Sequence, residues 1–235
     1  EVGTMKGLYS VCAVAGLAMA SAMAEPVDGF FWPSAWWAVH YPFAASGHYW
    51  ADGVVPSDGG VAYYLGRQAI NLQFTQAVTL RGIDLGNVQL TEGKPSICGS
   101  GLTLTGDAFI SGNATEADIA TLDDVVHGTG GNTFSKRGLG SLSVQGRGGF
   151  ADFATIAAAG GSLSSSGSGA LFAADNPSFA VRGGMFRWAP SLADGASGSA
   201  SLGATTYGPG SGGLVWSKGS GAAATLTLAS LTSEG

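Results

Sequence analysis

Lys136 and Arg137 stand side by side in a glycine-rich run, NTFSKRGLGSLSVQG, from Asn132 to Gly146. Two cations beside pliable backbone are the ingredients of an anion-binding loop. A phosphate loop would close on Gly-Lys-Ser/Thr, and the cations here are followed by Gly-Leu-Gly. The spacing Gly-x-Gly-x-x-Gly occurs at Gly208, Gly210 and Gly213, but in YGPGSGG, with no strand-then-helix pattern around it. Acids gather at Glu116, Asp118, Asp123 and Asp124, without the Gly-Asp nonapeptide repeat that feeds calcium in β-rolls. His40, His48 and His127 have no partner at metal-ligand spacing. No Gly-x-Ser-x-Gly elbow surrounds a serine. The expectation is therefore no catalytic residue, no metal and no cofactor. The best binding candidates are aromatic: Trp32, Trp36, Trp37, Tyr41, Tyr49 and Trp50, in FFWPSAWWAVHYPFAASGHYW. Indole and phenol rings stack on the apolar faces of sugars. The same rings can plug the end of a stack of strands, and this is the preferred reading, because an open end exposes strand edges.

These residues sit in an unusual background. Charged side chains are 11% of the chain, against about 25% in an average soluble domain. Glycine numbers 40 and the net charge is -6, so no basic stripe is available and nucleic acid is not an expected partner. Met5 and Lys6 open a short basic start, an apolar run follows from about Leu8 to Met19, and Ala22 and Ala24 supply small residues before a cut at Ala24/Glu25. The run is shorter than a bilayer-spanning helix needs. Residues 1–24 are read as leader and signal peptide, 25–60 as an aromatic N-terminal cap segment, and 61–235 as the main body. The mature chain is expected outside the cytoplasm, at the cell surface or extracellular. Cys12 leaves with the signal, and Cys98 alone cannot close an internal disulfide.

The body reads as strands. AINLQF, VTLRGIDL, LTLTG, SLSV and ATLTLAS alternate apolar and polar residues and are separated by Gly and Ser clusters. EADIATLDDVV reads equally as a loop and a strand. Three segments share apolar-x-apolar-x-Gly: Val78/Leu80/Gly82, Leu102/Leu104/Gly106 and Leu142/Val144/Gly146. With anchors at Leu122, Leu163, Val181, Leu202 and Leu226/Leu228, they recur at roughly twenty residues, the length of one turn of a β-solenoid. The expected fold is all-β, a right-handed parallel β-helix or β-solenoid. Leu102, Leu104, Leu142 and Val144 face inward, and turns stack on turns to make the core. A β-sandwich is the alternative that the same alternation permits.

The segment FSKRGLGSLSVQG resembles the autotransporter-associated β-strand repeat, also called the passenger-associated transport repeat. Its pattern Lys-x-Gly-x-Gly-x-Leu-x-(Leu/Val)-x-Gly is met by Lys136, Gly138, Gly140, Leu142, Val144 and Gly146. A weaker copy has Lys218, Gly221, Leu226 and Leu228 with its glycines shifted, and RGGFADFATIAAAGG replaces the usual Asn-x-aromatic-x-Gly continuation. The resemblance implies an exported, surface-displayed structural or adhesive passenger without catalytic activity. Its partners would be surface glycans or host and cell-surface proteins. Such passengers often continue into an outer-membrane barrel. None is written before Gly235, so the chain is expected to be part of a longer one, with outer-membrane association only through an anchor or barrel not contained here. Alternatives are a carbohydrate-binding module and a glycan-active, lyase-like β-helix. Lys136 and Arg137 are expected to stay solvated at a corner.

Overall fold

The computed structural model describes residues 26–31, 40–42, 50, 53–64, 71–74, 76–86, 96–99, 101–113, 118–145, 148–167, 169–172, 176–210 and 212–234. The leader at 1–24 and the side chains of Trp32, Trp36, Trp37 and Tyr49 lie outside these residues. Among the described residues no helix is long and apolar enough to cross a membrane. The chain is a β-solenoid: every pairing between named strands is parallel, and each coil lies on the one before it.

One coil shows the plan. Thr133–Arg137 forms a first side, Ser141–Val144 a second and Gly149–Ala151 a third, and Thr155–Ala158 then starts the next coil on top of Thr133–Arg137. The second sides stack into an eight-stranded sheet. First and third sides share a larger sheet, because long strands such as Leu102–Ser111 run through the corner between them. Inner residues stack in columns: Ala120, Leu142, Leu163 and Phe186 sit one above another on the second side, and all four are buried. Such ladders arise because alternation sends every second side chain inward, and one rung cannot cover its own apolar face. Rings fill the interior. Phe134 packs on Phe150 with centroids 4.3 Å apart, and Phe172, Phe179 and Phe186 follow at 5.3 to 5.7 Å.

Leu102, Leu104, Leu142 and Val144 are inward, as the alternation predicts. The ambiguous segment after Glu116 resolves into two strands, Asp118–Leu122 and Val125–His127. The repeat is subtler than a fixed period. Val78/Leu80 stacks on Leu102/Leu104 on the third side, whereas Leu142/Val144 belongs to the second side, between Ala120/Leu122 and Leu163/Ser165. Hydrogen bonds from one coil to the next join residues between 20 and 33 positions apart. The coils differ in loop length, so one apolar-x-apolar-x-Gly signature marks different sides of the coil.

Candidate functional site

Lys136 belongs to Thr133–Arg137, whose burial alternates so that Phe134 and Lys136 point in. Its register partners are Ile110 below and Ala158 above, so an ammonium group occupies an apolar ladder. The side chain is 0% exposed, which corrects the expectation of a solvated corner. The physical reason is reach. The small Ala158 leaves room, and the long stem carries Nζ to the corner, where it donates to the carbonyl of Gly138 at 2.8 Å and of Gly160 at 2.9 Å. One amine thus ties a corner to the corner of the next coil. Burial pushes the Lys136 pKa down to about 8. Gly138 turns this corner at φ 75°, a left-handed conformation that favours glycine. A Cβ there would also meet the Gly112 carbonyl of the preceding coil. Gly140 lies just beyond: its N–H donates to Gly112 and its carbonyl accepts from Ser162. Gly146 lies outside the described residues. The segment that reads as a repeat motif is therefore a corner joined to both neighbouring coils.

Arg137, one residue on, points out. Its guanidinium lies 4.7 Å from the centroid of the Phe109 ring, a cation–π arrangement. Phe109 itself covers Gly82, whose missing side chain makes the space for the ring. Along the outer face of the first side, register places Phe30, Tyr63, Asp84, Ser111 and Arg137 in one column. Phe30 is 44% exposed and stacks on Tyr63 at 5.0 Å with the planes 16° apart. Asp84 Oδ1 accepts from the Ser111 hydroxyl and from the Gly86 N–H, both at 2.9 Å. This strip brings two rings, a carboxylate, a hydroxyl and a guanidinium onto one outward surface. The sequence reading passes over it, because its members are separated by unequal stretches of chain. Its only signal is strand phase: each follows or precedes a buried residue in an alternating run.

Of the aromatic candidates named from sequence, Trp50 is 5% exposed and packs in the same core as Leu72 and Phe74. Tyr41 stands in His40–Pro42, paired with Leu72. Of the acidic group, Glu116 and the side chain of Asp118 lie outside the described residues; Asp124 accepts from the adjacent Val125 N–H at 3.0 Å, and Asp123 donates its N–H to the Ile97 carbonyl. Burial raises the carboxyl pKa of Asp123. Cys98 is half-buried, with its thiol 3.7 Å from the Leu72 carbonyl. Burial pushes that thiol up, the opposite of what a reactive cysteine needs. Among the described residues no group of three His, Cys, Asp or Glu side chains is placed to hold a metal ion. No protein-family model matches this chain, and no curated protein and no solved structure does either.

Proposed function

We propose that the chain is an exported, surface-displayed structural and adhesive solenoid of the autotransporter-associated repeat kind, acting by shape and not by catalysis. The observation that carries this reading is the Lys136 corner. The residues that make the resemblance are spent on joining coils: Lys136 on two carbonyls, Gly138 on a left-handed turn, Leu142 and Val144 on the core. A segment so committed supports a scaffold that holds a long outer surface in fixed register. The segment 1–24 supports export in the same reading.

The test has two arms. Cells producing the chain with its leader are treated with external protease and the mature N-terminus is sequenced. Cleavage after Ala24 together with loss of the surface signal is the expected result; a chain that keeps its leader and resists protease in intact cells refutes display. Absorbance of unsaturated products from acidic polysaccharides is then followed with the purified chain, and accumulation of such products refutes the non-catalytic part.

A further inference from the structure

We propose that the outer strip Phe30–Tyr63–Asp84–Ser111–Arg137 is a binding site for a carboxylated oligosaccharide lying along the solenoid axis. The proposal deepens the adhesive reading and rests on it. Each rung lifts the strip by about 4.8 Å, close to the length of one pyranose ring, so successive sugars meet successive rungs. Phe30 and Tyr63 stack on each other at one end, and the exposed Phe30 ring, backed by Tyr63, offers an apolar surface to a sugar ring. In the middle, Asp84 accepts two hydrogen bonds on Oδ1. A carboxylate has about four acceptor positions, so others remain for sugar hydroxyls, and the Ser111 bond fixes its orientation. At the far end the Arg137 guanidinium lies over the Phe109 ring. Its guanidinium finds no hydrogen-bond acceptor among the described residues, and it presents a planar fork of donors that matches a carboxylate.

The span decides the size of ligand. From Tyr63 to Arg137 the column climbs three rungs, roughly 14 Å at the spacing of stacked strands. A disaccharide cannot touch both ends, and a chain of three or four sugars can. A carboxylate on the sugar at the Arg137 end is favoured, because that end carries the positive charge and Asp84 sits two rungs away. The rigid sheet beneath means that no loop must be ordered on binding, so little conformational entropy is lost.

The experiment is calorimetric titration of the purified chain with tetragalacturonate, digalacturonate and the uncharged cellotetraose. Tetragalacturonate is expected to bind at least about tenfold more tightly than either of the others, since a hydrogen-bonded charge is involved. Arg137→Gln should remove about tenfold of the tetragalacturonate affinity and leave cellotetraose unchanged. Tyr63→Ala should weaken both tetramers. Both side chains point outward, and unchanged circular dichroism and melting are part of the expected result. No binding of tetragalacturonate, equal binding of the two tetramers, or unchanged affinity in either variant overturns the proposal. Because display is measured separately by protease, loss of the strip and loss of the surface reading are told apart.

Discussion

Replacing Lys136 by Met keeps the length of the stem and removes the amine. At neutral pH two effects oppose each other. The carbonyls of Gly138 and Gly160 lose their donor, which costs about 1–3 kcal/mol for groups left buried and unsatisfied. Relief from burying a charge works in the other direction. With the two in opposition, a single melting temperature says little. The pH dependence separates them. In the unfolded chain Lys136 titrates at its ordinary 10.5, and in the folded chain at about 8. Below pH 8 both states hold the proton, and the equilibrium is flat with respect to this group. Between the two values the folded chain has released the proton and the unfolded chain keeps it, so unfolding takes up a proton and stability rises with pH. The full rise is about 3 kcal/mol, the gap between the two values at 1.36 kcal/mol per unit. Above pH 10.5 the curve is flat again. Urea unfolding of the wild type and Lys136→Met from pH 7 to pH 11 measures this directly, because every other titrating group is common to both and cancels in the difference. A difference between the two proteins that grows with pH across this window is expected. A difference that stays constant refutes the buried, carbonyl-capped amine.

Three further changes probe other parts of the frame. Gly138→Ala puts a Cβ on a left-handed residue and against the Gly112 carbonyl; the backbone alone costs about 1–3 kcal/mol, and differential scanning calorimetry should show a fall of several degrees, whereas an unchanged midpoint would mean the corner is not formed. Trp50→Ala empties a buried site and should lower stability by about 3–5 kcal/mol; an intact melt with reduced sugar binding would turn that residue from plug to platform. Glu234 accepts the Arg182 Nε–H shared between its two oxygens at 3.1 Å and an Nη2–H at 2.6 Å, and these hold its carboxyl below the usual range. A depressed carboxylate stabilises above its unfolded pKa and loses that contribution as pH falls through its folded value. The protection factors of the Ala223–Ser233 amides, taken against the intrinsic exchange rate at each pH, should therefore fall on acidification in the wild type and be already low at neutral pH in Glu234→Gln; equal protection in the two proteins at neutral pH counts against the anchor.

Alternation told which way Leu102, Leu104, Leu142 and Val144 point, because side-chain direction in a strand follows directly from position. It said nothing about which side of the coil a strand occupies, which depends on loop lengths that vary from coil to coil. Leu80 and Leu142 thus carry the same signature and stand in different sheets. Lys136 was illegible for another reason. Lysine is almost always solvated, and only the neighbours supplied by the fold, Ile110 below and Ala158 above, show that this one continues an inner ladder. The outer strip needed register as well: Tyr63, Asp84 and Ser111 become neighbours only when the coils are laid on one another.

The short step between coils has a kinetic consequence. All-β domains usually fold slowly, because partners far apart in the chain must find each other. Here a residue meets its cross-coil partner after 20 to 33 positions, on the order of 0.1 of the 235-residue length, a ratio close to that of helical bundles. Once a first pair of coils has formed, each later coil finds a finished template a short loop away. The chain can then grow its structure in order along the sequence, as a zipper closes, with no waiting for its far end.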